Sequence, residues 1–301
     1  MSRRSRRSGT ARSPSHRYHV EPGRVGKNRQ LEFVKDGDGV DKGVRKLLEI
    51  AEEYGAKVTC AVCPESVVYF PKDAKCEVGL HVHPGWQKFS RGNLTWYAGD
   101  AWLRTNCQQS SDSSVLKDYS FYEQFHMIRQ GQHYLARTIG VPTCFVAGRW
   151  CVNNDTYKAL VRNMLLRDCS AVPHTQRPHY DWSKLPRICM PYHGSENDYQ
   201  VRGDLPVLTI PIAQTVFNTN VNPEGADLSW MMLAFTEYLV RRVPLFHICL
   251  HAPSMTSRYY VDRMHAFLSF ISKHKSTRFK YVSEITALED CDNSRRVATP
   301  V

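Results

Sequence analysis

Residues 77–86 of this 301-residue chain read Glu-Val-Gly-Leu-His-Val-His-Pro-Gly-Trp, and the predicted fold is built outward from them. The apolar residues predict a short buried strand that ends at the Pro-Gly pair. Side chains alternate between the two faces of a strand, so His81 and His83 point the same way. Two such imidazoles before a turn are able to share one divalent cation. The alternative is a surface strand with two unrelated histidines, and this stretch alone leaves both readings open.

Strands and helices alternate along the rest of the chain, which favours parallel strands joined by crossover helices. Strands are predicted at 31–35, 57–62, from 77, at 143–147, 165–169, 205–212, 245–250 and 279–282. Helices are predicted at 43–55, from 64, at 119–138, 153–163, 227–241, 258–274 and from 283. Residues 85–118 and 172–204 are predicted to be irregular. About seven strand-helix units predict an α/β fold of the irregular (β/α)7 barrel type, with parallel strands inside and helices outside.

The positive charge of the chain is concentrated at its N-terminal end. Residues 1–30 hold eight Arg and Lys27 against Glu21, which is +8 of the formal net charge of +11. We predict a disordered Arg/Ser-rich tail at 1–29, one barrel domain at 30–290 and a C-terminal tail at 291–301. The basic tail is either simply solvated or makes weak contact with nucleic acid or an anionic surface.

Composition excludes some classes of protein and indicates a compartment. No run of apolar residues approaches the ~18 needed for a membrane span. Without a recognisable signal peptide, the ten cysteines are expected to stay reduced in a cytoplasmic protein. The pair Cys60 and Cys63 has CxxC spacing, but it lies in an apolar strand-like run. Buried thiols are therefore the favoured reading there, over a zinc or redox site.

Polar residues suited to catalysis follow several of the predicted strands. The carboxyl ends of parallel strands meet on one face of a barrel, so we expect these residues to converge. They are Asp36 and Asp38 after the first strand, His81 and His83 after the third, Arg149 after the fourth and His251 after a late one. Two imidazoles and a carboxylate form a common catalytic zinc set with a position left open for water.

Short motifs in a consistent order make the chain similar to the polysaccharide deacetylase family, the NodB-type carbohydrate esterases. The resemblance spans about residues 31–290 and is to the branch with GLHxHP and AGRW motifs. The motifs include Asp-Gly-Asp-Gly at 36–39, Glu-Val-Gly-Leu-His-Val-His-Pro at 77–84, Ala-Gly-Arg-Trp at 147–150 and Ile-Cys-Leu-His at 248–251. Tyr180-Asp181-Trp182 and Pro191-Tyr192-His193 fit the same branch.

The resemblance implies a role for each matched residue. Asp36 would be the general base, and Arg149 would orient it and compensate its charge. Asp38, His81 and His83 would hold a divalent metal, with Zn²⁺ as the first choice, and His251 would be the general acid. The chain departs from the usual family pattern because Gly37 separates the two aspartates and position 85 is glycine. If His83 does not reach the metal, His193 or water would complete the set.

Aromatic residues near these motifs are candidate sugar-binding groups, because their faces are able to stack on sugar rings. The predicted substrate-binding residues are Trp86, Trp150, Trp182 and Tyr192. Ordinary core or lid packing is the alternative for each.

Together these features predict a metal-dependent deacetylase that hydrolyses the N-acyl amide of a sugar or glycan. Two other readings stay open. One is a catalytically inactive relative that binds carbohydrate within an assembly. The other is a nucleic-acid-associated protein that acts through its basic tail.

Overall fold

The computed structural model describes residues 32–33, 36–85, 87–91, 94–98 and 101–286. The predicted N-terminal tail at 1–29, the predicted C-terminal tail at 291–301 and Trp86 lie outside the described residues. The side chain of Asp36 also lies outside the description, although its backbone is included.

The described residues form short strands and longer helices, which alternate in part of the chain. The strands are β1 (Glu32–Phe33), β2 (Thr59–Val62), β3 (Glu77–Val82), β4 (Gln87–Arg91), β5 (Leu94–Ala98), β6 (Phe145–Ala147), β7 (Arg167–Asp168), β8 (Gln176–Arg177), β9 (Tyr180–Asp181), β10 (Tyr192–His193) and β11 (Leu208–Thr209). The α-helices are α1 (Asp36–Glu53), α2 (Ala101–Asn106), α3 (Phe121–Thr138), α4 (Asn154–Arg162), α5 (Leu228–Val240) and α6 (Arg258–Ser272). Helix α3 begins in a capping box, in which Ser120 and Glu123 satisfy each other's backbone N–H groups.

A mostly parallel sheet forms the centre of the fold, in the order β10-β11-β7-β6-β3-β2. Only the edge pair β10–β11 is antiparallel among these neighbours. Leu80 and Val82 of β3 are fully buried, and Gly131 of α3 packs directly against Leu80. His81 and His83 alternate with these residues and therefore face the other side of the sheet. The predicted α/β class with parallel strands is confirmed.

The predicted closure of the sheet into a barrel is not found, and the sheet of the described residues is open. Residues 245–250 and 279–282 were predicted as strands but form no ladder. Phe246, Ile248 and Leu250 instead pack against the cluster around α5 and α6. An apolar run of this length indicates burial, but it does not specify strand pairing. The prediction of two strands there was therefore wrong, and the residues of 245–250 are half-buried.

Helix α1 starts earlier than predicted, at Asp36 instead of Gly43. Asp36 and Asp38 therefore lie in the first turn of α1 and not in a loop after a strand. Acidic residues stabilise this end of a helix, because it is the positive end of the helix dipole. The predicted C-terminal stop is confirmed, since Gly55 follows with a φ of +66°. A Cβ on Gly43 would lie 2.1 Å from the carbonyl oxygen of Ala252, so this glycine lets α1 approach the turn after His251.

Both stretches predicted to be irregular contain hairpins. Strands β4 and β5 pair antiparallel within 85–118, and β5 also pairs with β1 in a separate three-stranded sheet. Strands β8 and β9 form a small hairpin within 172–204. Their polar, Gly- and Ser-rich sequences hide the alternation that predicts strands. No helix among the described residues is both long and apolar enough to cross a membrane.

Candidate active site

His81 lies near the end of β3, beside the neighbouring strand β6. Its Nδ1 lies 2.9 Å from the carbonyl oxygen of Val146. A carbonyl oxygen only accepts, so Nδ1 carries the proton and Nε2 keeps its lone pair. The pKa of His81 is lowered to about 3, mainly by burial and further by the nearby His83 and His251. The hydrogen bond to Val146 acts in the opposite direction and is outweighed. His81 is therefore a neutral imidazole with one nitrogen free to accept a proton or bind a cation.

His83 follows β3 and is buried, with its ring centroid 5.9 Å from that of His81. Its Nδ1 lies 3.3 Å from Gly85 O and its Nε2 lies 3.1 Å from Gln87 Oε1. Burial lowers the pKa of His83, so the ring is neutral and carries one N–H. Gln87 is able to hydrogen-bond Nε2 in either tautomer of His83. Its Oε1 accepts when Nε2 carries the proton, and its NH₂ group donates when the amide is flipped and Nε2 is unprotonated. His83 is thus engaged on both nitrogens.

The turn after β6 carries Arg149 into the same region. Arg149 and Trp150 both have a φ of +59°, a left-handed conformation that is uncommon for residues with a side chain. A Cβ on Gly148 would lie 2.6 Å from Cδ2 of His83, so glycine is required for this turn to pack on the histidine. Arg149 donates from Nη1 to Ser114 Oγ at 2.8 Å, and its buried Nε has no partner among the described residues.

His251 is paired with a buried carboxylate that the sequence reading missed. Its Nδ1 lies 2.7 Å from Glu224 Oε2, and its backbone N–H donates to Glu224 Oε1 at 2.6 Å. Ser254 Oγ donates to the same Oε1 at 2.6 Å. Burial alone would raise the pKa of Glu224, but the charge of His251 and these hydrogen bonds lower it below its ordinary value. Glu224 is therefore an ionised acceptor that holds the proton of His251 on Nδ1 and leaves Nε2 exposed for chemistry.

No sequence signal identified Glu224, because it is 27 residues from its partner and matches no motif. The only hint is the turn sequence Asn-Pro-Glu-Gly at 222–225. In the structure, Asn222 Nδ2 donates to Cys249 O at 2.5 Å, which ties this turn to the segment that carries His251.

The β4–β5 hairpin connects the two sides of the site through an aromatic pair. Phe89 and Trp96 lie opposite each other in the hairpin and stack, with ring centroids 5.9 Å apart. Phe89 contacts His83 at 5.7 Å and His251 at 5.5 Å, and Trp96 contacts His251 at 5.3 Å, all between ring centroids. These rings form an apolar wall between the histidines, and Phe89 was not predicted as a site residue.

The four predicted substrate-binding residues differ in how far they are buried and in whether the structure describes them. Trp86 lies outside the described residues, and Trp150 is partly exposed beside the site. Trp182 is fully buried and donates from Nε1 to Trp150 O at 3.0 Å. Tyr192 is 2% exposed and donates from its hydroxyl to Tyr199 O at 2.8 Å. Trp182 and Tyr192 thus have packing roles in this structure.

The donors predicted for a metal are not assembled among the described side chains. Asp38 is half-exposed and pairs with Lys42 at 3.1 Å on the surface of α1. The alternative ligand His193 lies on the edge strand β10 and points Nδ1 at Leu205 O, 2.8 Å away. In the part of the chain that the structure describes, no three His, Cys, Asp or Glu side chains are placed to hold a metal ion. Of the predicted donors, His81 lines the central cavity and has an Nε2 without a described hydrogen-bond partner.

A cavity of about 1650 Å³ unites the remaining site residues. His81, His83, Arg149, Trp150 and His251 all line it, whereas Asp38 does not. Residues from three neighbouring segments, after β3, after β6 and after 245–250, thus face one space that is large enough for a sugar. The arrangement supplies a carboxylate–imidazole pair, a second neutral imidazole and a guanidinium.

The chain was compared with protein-family models, curated proteins and solved structures. No family model and no curated protein matches the chain. Among solved structures, the fold is similar to the crystal structure of a candidate polysaccharide deacetylase from Mycobacterium smegmatis. The sequence identity is 16% and the TM-score 0.47, over 78% of this chain and 72% of that one. At this identity and TM-score the likeness assigns neither a family nor an activity to the chain.

Proposed function

We propose that the protein is a hydrolase that removes the acyl group from the nitrogen of an acylated sugar or glycan. The observation that carries this proposal is the Glu224–His251 pair at a cavity shared with His81 and Arg149. The order of the sequence motifs supports the same reading independently of the geometry.

In the proposed reaction, water adds to the amide carbonyl, the C–N bond breaks and the leaving nitrogen takes a proton. His251 is suited to deliver that proton from Nε2, because Nδ1–H is held by Glu224 and Nε2 has no described partner. The negative charge of Glu224 stabilises the imidazolium form that must exist before delivery. A general acid of this kind typically contributes 10²–10⁴-fold to the rate.

Two further groups, Arg149 and Asp36, are proposed to assist the addition of water to the carbonyl group. Arg149 offers a positive charge with an unused Nε to the negative charge that develops on the carbonyl oxygen or on the base. Asp36 is the proposed base, a role that rests on the sequence resemblance alone. The aromatic wall of Phe89 and Trp96 limits water around His251 and so strengthens the electrostatic effect of Glu224.

A bound divalent ion, with zinc as the first choice, also remains a proposal. When bound, such an ion lowers the pKa of a coordinated water towards ~7. Among the described atoms, His81 Nε2 is the donor available to it. The described donors do not complete a metal set, and the roles given above to His251, Glu224 and Arg149 hold without the ion.

Carbohydrate binding without turnover is a second candidate function. Two observations favour it: Gln87 occupies Nε2 of His83, and Asp38 is paired with Lys42 on the surface. The tail-based alternative, contact with nucleic acid, has no support among the described residues.

Acetate release from a panel of N-acetylated sugars and nucleotide sugars, with and without chelator, tests the proposal. We expect turnover by the wild-type protein and a loss of about 10²-fold or more in His251→Ala and Glu224→Gln. The matched control is Glu196→Gln, an exposed glutamate outside the site. Binding of these sugars with no release of acetate would instead favour the non-catalytic function. Equal rates in all variants would refute the assigned acid.

A further inference from the structure

The β8–β9 hairpin brings positive charge to the mouth of the candidate site. Its two-residue tip is Pro178-His179, and Arg177 and His179 line the same cavity as His81 and His251. Arg177 is exposed, whereas His179 is partly buried. The hairpin takes no part in the reaction proposed above, so the reaction does not explain why Arg177 and His179 line this cavity.

Three cations surround His179. Burial lowers the pKa of His179 first, and the charges of Arg149, Lys117 and Arg177 lower it further. The mouth of the cavity therefore has a positive potential in the absence of substrate.

These cations lack the partners that other cations of the chain have. Arg45 pairs with Asp73, and Arg187 pairs with Glu237. In contrast, neither Lys117 nor Arg177 forms an ion pair in the described part of the chain. Among the described side chains, Arg149 donates to the uncharged hydroxyl of Ser114 and forms no ion pair. Uncompensated positive charge around a cavity is the usual arrangement for an anionic ligand.

The nearest carboxylates are already engaged by neutral donors. Asp118 Oδ2 accepts from Ser113 Oγ at 2.5 Å. Asp181 Oδ1 accepts from Ser183 N at 2.9 Å and Oδ2 from Gln176 Nε2 at 3.4 Å. Hydrogen bonding to Ser183 is the main cause that lowers the pKa of Asp181, and the charges of Lys184 and Lys117 lower it further. Asp181 therefore offsets part of the charge of Lys117. Arg177 is left as the cation available to a further ligand group, because Arg149 is assigned above to the reacting carbonyl or the base.

We infer that the substrate carries an anionic oxyacid group, a phosphate or a carboxylate, which binds Arg177 beside His179 at the mouth of the cavity. A guanidinium matches the planar oxygen pairs of both groups through forked hydrogen bonds. That the anion belongs to a substrate rests on the proposed function, but the anion site itself is independent of turnover. The acylated sugar would thus be an acidic one, held by its charge while its N-acyl group faces His251.

Binding of inorganic phosphate to the full-length protein tests the site directly. The readout is the pKa of His179, measured by NMR titration of its ring resonances in phosphate and in sodium chloride of matched ionic strength. A bound anion should raise this pKa by about one unit, because an opposite charge then faces the imidazole. Exposed His133 is the internal control, and its titration should be the same in both salts. This local readout also separates the site from phosphate bound by the Arg-rich end of the chain.

Arg177→Ala should weaken the phosphate response of His179 about tenfold. The matched control is Arg129→Ala, which removes a surface arginine of α3 that lies over Phe125. An unchanged His179 in phosphate would overturn the inference, and so would an equal response in wild-type protein and Arg177→Ala.

A turnover arm distinguishes the two anion chemistries. Rates are compared for N-acetylglucosamine, N-acetylglucosamine 1-phosphate and N-acetylmuramic acid, which carry no charge, a phosphate and a carboxylate. We expect a lower KM for one charged sugar and a loss of that advantage in Arg177→Ala. Equal KM values for the neutral and charged sugars would refute substrate binding through the anion. Phosphate binding at His179 with no turnover of any sugar would refute the proposed function and leave the anion site standing.

Discussion

Asp168 is a buried acid beneath the site, and replacing it with asparagine should change how stability depends on pH. Asp168 is fully buried on β7. Its Oδ1 accepts from Ser170 Oγ at 2.5 Å and Ser170 N at 3.1 Å, and its Oδ2 accepts from Tyr157 OH at 2.9 Å. Burial raises the pKa of Asp168 from its ordinary 3.8 to about 6, although these hydrogen bonds act in the opposite direction.

The size of the effect follows from this shift. Roughly two pKa units, at 1.36 kcal/mol each, correspond to about 3 kcal/mol. The folded protein holds the proton of Asp168 more tightly than the unfolded chain does. The resulting stabilisation is complete below pH 3.8 and is lost as pH rises through about 6. Wild-type protein should therefore lose about 3 kcal/mol between about pH 4 and pH 7 through this residue alone.

Urea denaturation of wild-type protein and Asp168→Asn across this pH range measures the effect. Asparagine does not titrate, so the difference in unfolding free energy between the two proteins isolates the contribution of Asp168. This difference should shift in favour of the variant by about 3 kcal/mol as pH rises from 4 to 7. The control is Asp155→Asn, an acid on α4 with a loose surface pair to Lys158, whose difference should stay nearly constant.

A constant difference between wild-type protein and Asp168→Asn would show that Asp168 has an ordinary pKa in the folded state. A shift in the opposite direction would show that its hydrogen bonds outweigh burial. Either result would refute the reasoning.

Three further changes test the site. Gly148→Ala should cost about 1–3 kcal/mol in urea denaturation, because the new Cβ meets His83, including its Cα at 2.9 Å. Glu224→Gln should move the proton of His251 from Nδ1 to Nε2 in ¹⁵N NMR spectra, because the amide keeps its one oxygen for the backbone N–H and turns NH₂ towards the ring. His81→Ala should abolish the proposed binding of about one divalent ion per chain, as measured by elemental analysis.

Each of these changes has a control and an opposing result. Gly37→Ala brings a methyl group only against the ring of exposed Tyr69, so a loss as large as that of Gly148→Ala would contradict the packing argument. An unchanged tautomer in Glu224→Gln would mean that the carboxylate does not hold the proton. Metal-free wild-type protein, prepared without chelator, would contradict the metal proposal.

The sequence by itself determined the parts of the fold that depend on local pattern. The apolar residues of 77–82 placed β3, the helix predicted at 119–138 matches α3, and Gly55 marked the end of α1. Because β3 and β6 are parallel, residues just after them had to lie at the same edge of the sheet. His81, His83 and Arg149 accordingly line one cavity in the structure.

Only the tertiary structure decided the remaining parts, because they depend on contacts between distant residues. The apolar run 245–250 has the composition of a strand, yet whether it pairs depends on a neighbour that local sequence does not specify. The polar sequence around Phe89 and Trp96 conceals a hairpin whose rings contact His251, a residue far away in the chain. Glu224 became part of the site only when the chain brought it to His251, since a buried carboxylate needs partners that its own neighbours do not supply.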